Sequence, residues 1–258
     1  MLLGAKKRSG RFGPIKTTIL LTLSVVFLLA PLAENVFAQR KFTRSFPAGQ
    51  NVRLQLLNRS GTVTVEGWNR QQVAISASLE APTANISPQQ VEGTIVINLV
   101  KDNQGREIGN VNFTIRVPFT SSVDIETLIG NLSVSNIRGG LVRAHISSEG
   151  DITLTNIASF AVQAQNGIGD LFFDGEFLAG GNYRFTSMRG AINLRIPFNS
   201  SFKMVATAPS TRNISLGSFT NNSLNYLSDG RRVVGKFGDG NSTLTVTNQR
   251  GSIAFLRR

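Results

Sequence analysis

The chain has 258 residues, of which 41% are hydrophobic and only 16% are charged, so it can form an apolar core and does not have the composition of a disordered protein. It contains no cysteine, which excludes a disulfide framework and a lipid-modified cysteine. The formal net charge is +12, which admits anionic partners.

The first 38 residues have the pattern of an export signal. Basic residues lie within 6–16, an apolar stretch covers 17–32, and Val36-Phe37-Ala38 resembles a cleavage site. We therefore predict a signal peptide at 1–38 and a protein located in the periplasm, at the cell surface or outside the cell. The alternative is an uncleaved anchor, and this segment would then be the chain's only contact with a membrane.

Residues 39–121 are predicted to be rich in strands but irregular. Apolar and polar residues alternate with the period of a β-strand in several segments that end at turn residues. These segments are 52–56, 61–68, 73–77, 95–99 and 111–117.

Residues 122–258 contain a repeated phrase, a glycine followed by two apolar residues in alternation. The phrase begins at Gly130, Gly150, Gly169 and Gly190. A period of about 20 residues with strand-type alternation is typical of stacked β coils. We therefore predict an all-β fold, a β-solenoid with two strands per coil, in one domain over 39–258.

Stacking at about 4.8 Å per strand places equivalent residues of successive coils side by side. The predicted inward ladder consists of Leu132, Ile152, Leu171 and Ile192. Asn136 and Asn156 should share one corner of the stack.

Three segments resemble the bacterial putative-adhesin domain family. They are the run from Asn58 through Trp68, the run from Arg189 through Pro197, and the ending from Gly238 through Ile253. The resemblance implies a β-solenoid domain of unknown function in an exported or envelope-associated protein. It covers most of the chain after residue 38, from about Phe42 to Phe255, and implies no catalytic residues.

The residues offer little catalytic chemistry. His145 is the only histidine, and its phase in an alternating run predicts that it faces solvent. Asp151 and Asp170 both follow a coil glycine, so they are candidates for a shared Ca²⁺ site. The alternative is that both carboxylates accept hydrogen bonds from backbone groups at turns. We predict no catalytic residue and no cofactor.

Basic residues are concentrated in the second half of the chain. Removal of 1–38 would leave a net charge of +8, and residues 131–258 carry 13 basic and seven acidic groups. The densest cluster, Arg231, Arg232 and Lys236, is a candidate anion-binding site. An anionic envelope polysaccharide or an envelope protein is the predicted partner. Nucleic acid is not expected, because no aromatic–basic platform accompanies the charge.

These observations predict a non-enzymatic envelope or surface scaffold, or an adhesin-like binding protein. One alternative is a polysaccharide-active enzyme that uses carboxylates on the solenoid, with Arg189 or Arg138 as its basic group. Another is a periplasmic partner-binding module in envelope stress signalling. Trp68, the single tryptophan, would either plug the end of a coil or present a face for stacking on sugars.

Overall fold

A computed structural model describes residues 1, 4, 40–221 and 223–258. The predicted signal peptide and its cleavage site lie outside these residues, so export and cleavage stay predictions. Within the described part of the chain, no helix is both long enough and apolar enough to span a membrane.

The chain is all-β, as its alternating apolar residues predict, and it builds two large mixed sheets. Sheet 1 has ten strands, in the spatial order β1 (Arg40–Pro47), β4 (Gln72–Leu79), β7 (Val111–Pro118), β3 (Val63–Trp68), β9 (Leu132–Ser135), β11 (Ile152–Ile157), β13 (Leu171–Gly175), β15 (Ile192–Ile196), β21 (Ile253–Arg257) and β17 (Ile214–Ser215).

Sheet 2 has eleven strands, in the spatial order β18 (Leu224–Tyr226), β19 (Arg232–Phe237), β16 (Phe202–Thr207), β20 (Ser242–Asn248), β14 (Asn182–Arg189), β12 (Ala161–Ile168), β10 (Leu141–Glu149), β8 (Ser122–Ile129), β2 (Arg53–Leu57), β6 (Thr94–Asn98) and β5 (Gln89–Val91). In the described residues, helix is limited to one α-helical turn at Leu99–Asp102 and two 3-10 turns at Thr211–Asn213 and Gly217–Phe219.

Successive strands from β8 to β15 alternate between the two sheets, and neighbours within a sheet run parallel. The predicted ladder is confirmed: Leu132 pairs with Ile152, Ile152 with Leu171, and Leu171 with Ile192. All four side chains are buried in the core between the sheets. Burial of these side chains removes apolar area from water and holds the sheets together.

The predicted shared corner is also present. Asn136 and Asn156 both have a left-handed backbone, with φ of 59° and 54°. Asparagine tolerates this conformation better than other non-glycine residues. The side-chain amide of Asn156 donates to Oδ1 of Asn136 at 2.8 Å, so the corner is linked from coil to coil.

A column of glycines explains the repeated phrase. Gly130, Gly150, Gly169 and Gly190 all have positive φ, between 114° and 148°. A Cβ at any of the four would lie 2.1–2.3 Å from the carbonyl oxygen of the glycine one coil earlier, with Gly61 preceding Gly130. Only glycine permits both this backbone and this approach.

The two sheets do not repeat uniformly, contrary to the predicted two-strand coil over 122–258. Strand β16 is followed by β18 and β19, which pair antiparallel to one another, and β19 pairs antiparallel to β16. Antiparallel pairs also occur among β1, β4 and β7 and between β5 and β6. A local glycine period cannot specify these pairings, because they depend on where later strands return.

The order of strands is broken near the end of the chain. Strand β20 lies between β14 and β16, and β21 lies between β15 and β17. When the chain passes from β15 to β16, it therefore leaves a gap beside β14 in sheet 2, and the later strand β20 fills this gap. Strands β2 and β3 are inserted in the same way, between β6 and β8 in sheet 2 and between β7 and β9 in sheet 1.

Candidate functional site

The two candidate metal ligands, Asp151 and Asp170, directly precede the paired strands β11 and β13, and both accept backbone hydrogen bonds. Oδ1 of Asp151 accepts from the N–H of Asp170, and Oδ1 of Asp170 accepts from the N–H of Ala191, both at 2.8 Å. Asn131 begins this row by accepting from the N–H of Asp151 at 3.0 Å. The row links successive coils at their exposed corner. No group of three or more potential metal ligands occurs in the described residues.

Two nearly buried carboxylates, Asp124 and Asp174, lie in ion pairs. Asp124 is nearly buried and contacts the guanidinium groups of Arg53 at 3.1 Å and Arg143 at 2.5 Å. Asp174 is nearly buried and pairs with Arg195 at 2.7 Å. His145 is partly exposed on sheet 2, with Nδ1 3.8 Å from the carboxylate of Glu126. These pairs neutralise the buried charges.

Trp68 does not lie at the end of the stack, because its strand β3 has β7 and β9 as neighbours. Its indole N–H donates to the carbonyl oxygen of Gln72 at 2.8 Å. The guanidinium carbons of Arg70 and Arg116 lie 5.0 and 5.7 Å from its ring. The partly exposed indole therefore holds two cations by cation–π contacts.

The predicted anion-binding cluster is divided by the structure. Arg232 Nε pairs with Asp229 at 2.6 Å. Hydrogen bonds from the backbone N–H of Arg231 and the guanidinium of Arg232 lower the pKa of Asp229, which favours the ionised carboxylate. Lys236 lies at the other end of β19, directly opposite Lys203 on β16. The guanidinium of Arg231 donates to the carbonyl oxygen of Ala208 at 3.5 Å, so within the predicted cluster only Arg232 lies in an ion pair among the described residues.

Five adjacent strands of sheet 2 carry no acidic residue. These are β19, β16, β20, β14 and β12, and four gaps of about 4.8 Å give this surface a width of about 19 Å. We call their outer surface the basic face. The cationic residues of the five strands are Arg184, Arg189, Lys203, Arg232 and Lys236, all exposed.

Hydroxyl side chains occupy much of the remaining basic face. Thr186, Thr247 and Thr207 are aligned on three neighbouring strands. Thr243 and Thr245 lie on the same side of β20 and pair with residues that include Lys203 and Arg184. The face therefore combines cations with groups that can donate and accept hydrogen bonds.

Sequence reasoning missed Lys203 and Arg184. Both lie singly in alternating strands, where they resemble ordinary solvent-facing residues. Only the antiparallel return of β19 brings Lys236 beside Lys203, and only the insertion of β20 places Arg184 on the same uninterrupted surface.

Together these features define an all-β protein of two mixed sheets with one acid-free, basic outer face. No protein-family model and no curated protein matches the chain. Similar solved structures include a putative cell adhesion protein from Clostridium sporogenes, with 11% identity, coverage of 85% of this chain and 98% of that one, and a TM-score of 0.47. A putative adhesin from Bacteroides fragilis has 10% identity, coverage of 86% and 99%, and a TM-score of 0.38.

A third similar structure is that of a putative lipid binding protein from Parabacteroides distasonis. It has 10% identity, coverage of 84% of this chain and 97% of that one, and a TM-score of 0.33.

Proposed function

We propose that this chain is an exported, non-enzymatic binding protein of the cell envelope, and that its basic face binds an anionic envelope polysaccharide. The pairing of Lys203 with Lys236 carries the proposal. Across residues 40–221 and 223–258 neither lysine forms an ion pair, although Asp239 lies in the turn beside them. Like charges directly opposite on neighbouring strands destabilise a sheet. An anionic ligand would remove that repulsion.

The shape of the face suits a polymer better than a small ion. Cations at both ends of β19 and on β14 and β16 are separated by rows of threonines. A polysaccharide presents its charges at intervals along a chain that also carries hydroxyl groups. Repeated charge contacts and hydroxyl hydrogen bonds could therefore be made at once.

The stacked architecture supports a scaffold role. We infer that β8 to β15 with β20 and β21 are coils of a β-solenoid, because their inward ladder continues from Leu132 through Ile192 to Ile253. Each coil then covers its neighbours and leaves extended faces to solvent. Asp151 and Asp170 link coils through backbone hydrogen bonds, which favours a structural role for these carboxylates over catalysis.

The test is binding of the purified protein to polygalacturonate, with neutral dextran as the comparison polymer. Two charge contacts of about 0.5–1 kcal/mol each predict about tenfold weaker polygalacturonate binding for Lys203→Gln/Lys236→Gln. Salt should weaken binding by the unsubstituted protein, since the screening length falls from about 10 Å at 0.1 M to about 3 Å at 1 M. The matched control is Lys41→Gln/Lys101→Gln, which removes two exposed lysines outside the basic face.

Lys203→Gln/Lys236→Gln should also be slightly more stable than the unsubstituted protein at low salt, because it removes a like-charge pair. Chemical unfolding measures this change. Equal losses of binding in the two double variants, or binding that salt does not affect, would contradict the proposal.

A further inference from the structure

A cavity of about 470 Å³ lies beside the start of the inserted strand β20. Its walls come from the loop after β13, the loop after β15 and Asn241, the residue before β20. These segments meet because β20 is inserted between β14 and β16. The cavity has the size of a small-molecule site.

The lining is polar with one apolar wall. Asn199 and Asn241 contribute side-chain amides, Ser200 a hydroxyl, Glu176 a carboxylate and Phe177 an aromatic ring. Both asparagines are exposed, and in the part of the chain that the structure describes neither side-chain amide has a hydrogen-bond partner within the protein. Each amide can donate two hydrogen bonds and accept others. Such groups match a sugar ring, whose hydroxyls donate and accept around an apolar body.

Hydrogen bonds fix the walls of the cavity in place. The hydroxyl of Tyr183 accepts from the N–H of Leu178 at 2.6 Å and donates to the carbonyl oxygen of Ser159 at 3.0 Å. Burial raises the pKa of Tyr183, so this hydroxyl keeps its proton. The hydroxyl of Ser201 accepts from the N–H of Asn241 at 3.2 Å. The loops are therefore held before any ligand binds, which favours affinity.

The cavity adjoins the lysine pair of the basic face. Lys203 follows the cavity-lining Ser201 by two residues, and Gly240 immediately precedes Asn241. A Cβ on Gly240 would lie 3.0 Å from Cε of Lys236 and 3.1 Å from Cγ of Lys203. Both lysine side chains therefore lie over the turn that leads into the cavity.

We propose that the cavity receives one ring of an acidic polysaccharide, with the carboxylate of that ring directed toward Lys203 and Lys236. The inference rests on the proposed function and adds a specific subsite to it. Glu176 lines the cavity with an exposed carboxylate, 3.9 Å from the guanidinium of Arg258, and its negative charge favours an orientation in which the ligand carboxylate points toward the lysines. The basic face attracts polyanions in general. The cavity distinguishes an acidic polysaccharide from polyanions that have no sugar ring.

The experiment compares binding of polygalacturonate and poly-L-glutamate of similar length by the full protein at one salt concentration. Poly-L-glutamate carries the carboxylates without sugar hydroxyls. The unsubstituted protein should prefer polygalacturonate by about tenfold or more, because a sugar ring within the cavity can hydrogen-bond both amides through its hydroxyls, and poly-L-glutamate has no such ring. Asn199→Ala/Asn241→Ala should abolish the preference and leave poly-L-glutamate binding unchanged. The matched control, Asn213→Ala/Asn225→Ala, changes two exposed asparagines away from the cavity and should keep the preference.

Equal affinity for the two polymers, or a preference that survives Asn199→Ala/Asn241→Ala, overturns the subsite. In that case, weaker binding of both polymers by Lys203→Gln/Lys236→Gln would leave the proposed function standing. Failure of the unsubstituted protein to bind either polymer would overturn the proposed function and this inference with it.

Discussion

At the scale of single residues, the glycine column makes the strictest demand on the sequence. The carbonyl oxygen of each glycine occupies the space that a Cβ on the following glycine of the column would need. At Gly150 the two restrictions coincide, since φ is 148° and a Cβ would lie 2.2 Å from the carbonyl oxygen of Gly130. The coils can approach this closely only without a Cβ.

We therefore predict that Gly150→Ala lowers the free energy of unfolding by about 2–4 kcal/mol, through backbone strain and displacement of the neighbouring coil. Gly140→Ala is the matched control, because a Cβ there would lie 3.7 Å from the hydroxyl of Ser122, an ordinary contact. Urea denaturation measures both variants. Similar stabilities of the two would show that the column does not restrict the fold.

At the scale of elements, strand β11 depends on the alternation of its side chains. Ile152 and Leu154 point into the core, whereas Thr153 and Thr155 lie on the outer side of sheet 1. Ile152 has apolar neighbours on both adjoining strands, Leu132 and Leu171. A charge at its position would have no partner there.

Ile152→Asp should lower the free energy of unfolding by about 3–5 kcal/mol, because it buries an unpaired carboxylate. Thr153→Asp introduces the same group one residue later on the outer side, and its loss should stay below about 1 kcal/mol. Thermal unfolding of the two variants provides the comparison. Equal losses would mean that β11 does not keep the observed orientation in solution.

The elements also show which features a sequence can predict. The phrases at Gly130, Gly150, Gly169 and Gly190 predict their ladder correctly, because each coil pairs with the next one along the chain and the required pattern is local. The insertion of β20 and the antiparallel return of β19 are not local. They bring together strands separated by intervening segments, and alternation alone does not specify a partner.

The candidate site follows the same division. Asp151 and Asp170 were identifiable because they repeat with the coil. The lysine pair and the cavity were not, because both result from the inserted strand. Lys236 was singled out as part of a dense basic cluster, but its neighbour across the sheet could be recognised only from the strand order.

At the scale of the whole molecule, the insertion makes residues 241–258 an internal part of both sheets. Strand β20 hydrogen-bonds to β14 on one side and β16 on the other, and β21 lies between β15 and β17. By contrast, β1 is the edge strand of sheet 1 and pairs only with β4. The order of strands along the chain therefore does not indicate which strands lie at the edges of the sheets.

Deletion of 241–258 should abolish the cooperative unfolding transition of the C-terminal strands, because β14, β15 and β16 each lose one of their two neighbouring strands and the apolar ladder that Ile253 continues becomes exposed. Deletion of 40–47, which removes the edge strand β1, should lower the melting temperature but leave a cooperative transition, since only β4 loses a neighbour and β4 still pairs with β7. Calorimetry and limited proteolysis distinguish the two deletions. A cooperative transition that survives the loss of 241–258 would show that β14 and β16 can close over the missing coil, and the observed strand order would then not be required for a stable fold.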